Sequence, residues 1–182
     1  MEFEVLGWQG EGVTVDLDHR TFSYAGKFVM SATGKAVVRD SGMIVAATSF
    51  SEDRTTPDRM WIRYLTVRSD RRGERIGTRV AGAVRERILA QEHNEVRIAV
   101  NNPFAYQALH RAGFGYTGEQ TGIAELVLSS DLAPNERYQA GLLVMANRPN
   151  LAPEERVFID KRVQTGPPDP MQPPTDWIEA SP

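Results

Sequence analysis

Trp61-Ile-Arg-Tyr-Leu-Thr-Val-Arg-Ser-Asp-Arg-Arg-Gly-Glu-Arg-Ile-Gly-Thr78 is the stretch whose reading decides the fold. Residues 61–67 are rich in β-branched and aromatic side chains, which suits a strand. From about 75 to 91, Ile76, Val80, Val84 and Ile88 recur every four residues. That spacing puts them on one helical face, with Arg79, Glu86 and Arg87 elsewhere. Between strand and helix lies a polar turn containing Arg71, Arg72, Gly73 and Arg75. The first N–H groups of a helix point outward unpaired, the helix dipole adds partial positive charge, and glycine admits a close approach. A pyrophosphate-sized anion fits such a turn, and the arginines add full charges at its rim. The alternative is a solvated connection.

Working outward, residues 95–100 read as a second strand, and Pro103 opens a helix to about 111 that Gly113 ends. A strand–helix–strand unit of this length implies a parallel pair. Upstream, 35–39 and 43–50 flank the polar turn 40–42 as a β-hairpin. The expected class is therefore α/β with a mixed sheet. Residues 51–58 are polar, contain Pro57, and read as a loop. A closing hairpin is expected from 114–118 and 123–128, so the core ends near 130. Helices are expected over 135–147 and 153–163. Residues 13–17 fit a strand, whereas 22–30 fit neither period, and no internal repeat occurs. The tail 165–182 holds six of the eleven prolines and no basic residue, which predicts a mobile segment; Trp177 and Ile178 are its exceptions, either docking on the body or a partner or standing as an incidental exposed pair. The predicted organisation is a domain over 1–130, a helical extension over 131–164 and a flexible tail over 165–182.

Composition narrows the chemistry. With 21 Lys and Arg against 24 Asp and Glu, a net charge of -3 gives no bulk attraction to nucleic acid or to an anionic membrane. No apolar run approaches the ~20 residues of a membrane span, and the start lacks a secretion-signal layout. A cytoplasmic protein with no nucleic-acid or membrane partner is expected. The chain has no cysteine, which excludes disulfides, thiolate zinc sites and a cysteine acyl-enzyme. His19, His93 and His110 are widely separated, so no metal is expected. Gly113-Phe-Gly-Tyr-Thr-Gly118 spells GxGxxG, but a helix precedes it and a strand follows, the reverse of a dinucleotide site.

Leu65-Thr-Val67, then Arg72-Gly-Glu-Arg-Ile-Gly77, then 102–114 ending in Ala-Gly-Phe together resemble the acetyl-CoA-binding core of the GNAT superfamily of N-acetyltransferases. The resemblance covers about 35–130 and is strongest over 61–118. It implies a GNAT-like acyl-CoA N-acyltransferase fold carrying extra C-terminal helices. It further implies that Arg71, Arg72, Gly73, Glu74, Arg75, Ile76, Gly77 and Thr78 form the pyrophosphate turn, and that Leu65, Thr66 and Val67 meet the pantetheine arm. By the same resemblance Asn102 hydrogen-bonds that arm, and Phe104 and Ala105 line it. Arg75 stands where the family pattern has its middle glycine.

In the family a tyrosine four residues before the Gly-Phe pair often protonates the leaving thiolate, and here that position is Leu109. His110 follows it and Tyr106 lies one turn earlier, which makes these two the candidate acids, each equally readable as an ordinary helix residue. Glu52, Asp53, Asp58, Glu119 and Glu125 are the candidate bases, and the sequence does not choose among them. Two functions follow: an N-acetyltransferase acting directly on a small-molecule or peptide amine with acetyl-CoA as cosubstrate, or a non-catalytic acyl-CoA-binding or interaction module on the same fold. The acceptor is set by loops near 18–34, 51–60 and 119–122. The C-terminal helices either cover the acceptor cleft or extend a homodimer interface.

Overall fold

The computed structural model describes residues 1–179. Its seven strands and flanking helices make up a mixed-sheet α/β architecture, as the strand–helix–strand pattern predicts. The chain divides into two compact units, Met1–Val96 with the segment from Gln172, and Arg97–Met171.

In the first unit, β1 (Glu2–Gly7), β2 (Gly34–Asp40), β3 (Met43–Glu52) and β4 (Arg59–Val67) pair antiparallel in that order. Ser41 and Gly42 both have positive φ and join Asp40 to its partner Met43, the two-residue turn whose twist matches a hairpin. Between β3 and β4 the register shifts: Ser49 faces Tyr64 but Phe50 faces Ile62, leaving Arg63 as the extra residue of a bulge. Such a bulge bends the strand and re-aims the side chains around it.

α1 (Ile76–Leu89) packs on β3 and β4, burying Ile76, Val80, Val84 and Ile88 as their spacing predicts. A second apolar cluster joins Val37 of β2 and Ala47 of β3 to Val15, Leu17, Phe22, Ala25 and Phe28. Residues 13–17, expected as a strand, form none, and like 22–28, which fit neither period, they are held by tertiary burial rather than by regular hydrogen bonding. Only a short 3-10 turn, Ala25–Lys27, is regular there.

The tail differs from the sequence expectation. Its residues 172–179 form part of the first unit, with α5 (Thr175–Ile178) packed on α1 and β1. Trp177 is 2% exposed, stacks on Phe3 at 5.7 Å and donates its indole N–H to Met1 O at 3.4 Å. Gly82 of α1 lies against the Pro173 ring, where an added Cβ would stand 3.3 Å from Cδ. One large aromatic ring anchors the segment, and composition averaged over the tail hides it.

The second unit holds β5 (Glu95–Val100) from Arg97 onward, α2 (Pro103–Arg111), β6 (Gly115–Gln120), β7 (Leu126–Ser129), α3 (Tyr138–Ala146) and α4 (Pro153–Thr165). β7 pairs antiparallel with both β5 and β6, so the closing hairpin forms with its second strand inside. Both expected C-terminal helices are present. α2, α3 and α4 pack together through Tyr106 on Tyr138 at 5.2 Å and Phe104 on Phe158 at 4.8 Å. Among the described residues no helix is long and apolar enough to cross a membrane.

Candidate active site

The turn before α1 is built from its own charges. Arg71 donates to both Glu74 carboxylate oxygens at 2.8 and 3.0 Å, and to Asp40 Oδ2 at 2.8 Å. The two carboxylates hold its guanidinium above the usual arginine value, Glu74 contributing most. Arg71 therefore staples the turn to the end of β2. Arg72 is exposed and donates to Ser23 Oγ at 3.0 Å, and Arg75 is exposed as well.

Gly73 has φ +87° and Arg75 φ 62°, so Arg75 occupies the left-handed conformation that favours the glycine of the family pattern. Arg75 is the N-cap of α1, and no side-chain group caps the helix there. The outward N–H groups of the first turn at Ile76, Gly77 and Thr78 therefore have no side-chain cap. Gly77 rests on β4, where an added Cβ would meet Val67 Cγ2 at 3.4 Å and Leu65 Cδ2 at 3.5 Å. Leu65, Thr66, Val67 and the whole of 71–78 thus lie together in the first unit. An uncapped helix start behind exposed arginines suits a pyrophosphate.

The remaining sequence candidates belong to the second unit. Asn102 is the N-cap of α2, its Oδ1 accepting from Ala105 N at 2.8 Å. Phe104 is 45% exposed and Ala105 half-buried, so both sit at the start of α2 with surface to offer. Tyr106 is buried, and its hydroxyl donates to Tyr138 O at 3.0 Å. Burial, with smaller contributions from Tyr138 and Tyr116, pushes that hydroxyl well above the ordinary tyrosine value. His110 is also buried, with Nε2 2.9 Å from Asn135 Oδ1 and its ring 4.4 Å from that of Tyr138. Burial lowers its pKa against the opposing Asn135 bond. Both side chains belong to the packing of α2 against the segment leading into α3 and against α3 itself.

A cavity of about 710 Å³ opens in the first unit, lined by residues of 27–33, the end of β3, the loop after it, and Trp61, Arg63 and Tyr64 of β4. Two of the three loops assigned to acceptor choice, 18–34 and 51–60, contribute to it. Asp53 is committed: it accepts from Trp61 Nε1 at 2.7 Å and from Thr55 N at 2.8 Å, and lies 3.5 Å from Arg59. The Trp61 bond, then that of Thr55, holds its carboxyl well below the usual range. The Glu52 carboxylate, on the same wall, makes no ion pair or hydrogen bond among the described residues.

Glu119 pairs with Arg97 at 2.8 Å and Glu125 accepts from Thr121, so the second-unit candidate bases are both engaged. Ser49, 1% exposed, lines the cavity with a hydroxyl that has no partner among the described residues. Its facing residue on β2, Lys35, is fully buried and donates to Met30 O, Thr33 O and Thr33 Oγ1 at 2.8, 2.8 and 2.6 Å. Burial lowers the Lys35 pKa. Sequence reading passes over Ser49 and Lys35. The available signal was Thr48-Ser49 and Lys35 standing inside otherwise apolar strand runs.

The architecture defines the class of protein, a mixed-sheet α/β fold. The chain belongs to the Acetyltransferase (GNAT) family, whose profile matches residues 7–116, more than half of its length. Among solved structures, a Bacillus subtilis acetyltransferase in complex with CoA is similar at TM-score 0.57 and 13% identity, covering 72% of this chain and 98% of that one. A ribosomal-protein-alanine N-acetyltransferase from Brucella melitensis is similar at TM-score 0.48 and 19% identity, covering 55% and 69%. An N-acetyltransferase from Staphylococcus aureus Mu50 is similar at TM-score 0.48 and 13% identity, covering 56% and 68%. At these identities the likeness concerns the fold. No curated protein sequence matches the chain.

Proposed function

We propose that this chain is an acetyl-CoA-dependent N-acetyltransferase that moves the acetyl group directly to an amine held in the first-unit cavity. The observation that carries the reading is the uncapped start of α1, set behind exposed Arg72 and Arg75 and seated through Gly77 on Leu65 and Val67. When bound, acetyl-CoA supplies an acyl group activated as a thioester. The N–H groups of the first turn of α1 hold the pyrophosphate, with Arg72 and Arg75 at its rim and Arg71 fixing the turn. Main-chain groups of Leu65 and Val67 meet the pantetheine, and a backbone N–H polarises the thioester carbonyl.

Glu52, the uncommitted carboxylate of the cavity, takes the proton released as the amine nitrogen becomes an amide. With the Tyr106 hydroxyl committed to Tyr138 O, the leaving thiolate takes its proton from water. Orientation and electrostatics then carry the rate.

Calorimetric titration with acetyl-CoA tests the reading. The native chain binds, and Gly77→Asp, which adds bulk and negative charge at the pyrophosphate turn, abolishes binding while the thermal unfolding transition persists. A folded native chain that takes up no acetyl-CoA overturns the proposal.

A further inference from the structure

The walls of the first-unit cavity carry an imbalance of charge. Lys27, Arg54 and Arg63 line it, as do Glu52 and Asp53. Asp53 is consumed by Trp61, Thr55, Thr56 and Arg59, which leaves Glu52 as the one uncommitted carboxylate among these residues. The cations are not consumed in the same way. Arg63, on the β4 bulge, donates to neutral acceptors, Ser51 Oγ at 2.7 Å and Glu52 O at 3.0 Å, with its guanidinium 5.6 Å from the centre of the Trp61 ring and the charge of Asp53 acting on it only at a distance. Lys27 makes no ion pair or hydrogen bond among the described residues, and its ammonium stands 5.8 Å from the centre of the Tyr64 ring.

Lys35, fully buried, has three neutral acceptors and no carboxylate, and one of them, Thr33 Oγ1, belongs to a residue lining the cavity. Charges in such a poorly screened place act more strongly than in water. Independently of charge, the Ser49 hydroxyl is a buried donor without a partner, and it stands beside Tyr64 in the strand register. Leaving a buried hydroxyl unpaired is unfavourable unless a ligand completes it.

We propose that the cavity selects amines bearing an anionic group, a carboxylate or a phosphate, held by Lys27 and the Ser49 hydroxyl. The inference rests on the acetyltransferase reading for its amine and on the cavity alone for its anion. Lys27 and Ser49 each neighbour Tyr64, the first with its ammonium 5.8 Å from the ring centre and the second as its register partner, whereas Glu52 stands three residues further along β3, roughly 10 Å away at strand spacing. The two charges of the acceptor are therefore separated by a short chain rather than carried on neighbouring atoms. Arg54 and Arg63 raise the local positive potential without needing direct contact.

Calorimetric titration of the full chain with matched pairs tests this without requiring turnover. The pairs are γ-aminobutyrate against 4-aminobutanamide, and O-phosphoethanolamine against ethanolamine. The anionic member of at least one pair binds about tenfold or more tightly, the worth of one hydrogen bond to a charged group. The pair with the larger ratio distinguishes carboxylate from phosphate. Lys27→Met removes the preference, and Ser49→Ala reduces it, with acetyl-CoA affinity unchanged in both.

Equal binding of charged and neutral members, no binding of either anionic amine, or a preference that survives Lys27→Met overturns the anion site. Loss of acetyl-CoA binding by the native chain, with anion preference intact, overturns the transferase reading instead.

Discussion

The candidate acids of the second unit and the cavity residues Ser49, Glu52 and Lys27 of the first differ in what holds their side chains. In the second, Tyr106 donates to Tyr138 O and His110 meets Asn135, so the groups that attract attention as catalysts are occupied in holding α2 to its neighbours. In the first, Ser49 is buried without a partner and Glu52 and Lys27 face a cavity uncommitted. A residue type able to do chemistry is informative only with its partners known. The Tyr106 hydroxyl and His110 Nε2 are completed by the protein, whereas the Ser49 hydroxyl, at the cavity wall, is not.

The largest effect that tests this contrast is expected at Tyr106. Tyr106→Ala empties a fully packed site against Gly141 and Tyr138 and should cost about 3–5 kcal/mol in denaturant unfolding. Tyr106→Phe should cost only about 0.5–1.5 kcal/mol and leave the rate of CoA release unchanged. A loss of turnover in a stable Tyr106→Phe protein would break the contrast and restore Tyr106 as the acid.

Asp53→Asn comes next, at about 1–3 kcal/mol, because it weakens the bonds that fix Trp61 and the loop after β3. The folded carboxyl lies below its unfolded value, so its contribution is present above the ordinary carboxylate range and is lost as pH falls through the folded pKa. Acid unfolding should accordingly be less steep in Asp53→Asn than in the native chain.

Ser49→Ala sharpens the comparison from the other side. Removing an unpartnered buried hydroxyl should be neutral or should stabilise by about 1 kcal/mol, while acceptor affinity falls. A clear destabilisation would mean that Ser49 is structural. Arg75→Gly should also gain about 1 kcal/mol, by relieving a left-handed arginine at φ 62°, and should weaken acetyl-CoA binding through the lost charge. Thermal unfolding together with acetyl-CoA titration separates those two effects.

The elements around the turn before α1 were legible because each is specified locally. The four-residue spacing from Ile76 to Ile88, Pro103 behind the Asn102 cap and the Ser41-Gly42 turn are short-range signals, and each appears where expected. β1 was not legible: its strand is completed by register with β2, whose paired residues run from Lys35 opposite Gly7 to Arg39 opposite Glu2, far away in the chain. Trp177 was legible only as an exception, since nothing near it in sequence names Phe3 as its stacking partner.

Sequence alone determined the class of fold, the place where α1 starts and the absence of cysteine chemistry, because these depend on local conformational preference and residue type. Tertiary structure decided which charges are spent and which remain. Asp53 and Glu52 are adjacent and chemically alike, yet one is filled by Trp61 and Thr55 while the other faces the cavity. Hydrogen-bond satisfaction is settled by distant groups brought within about 3 Å, and no local pattern encodes that distance.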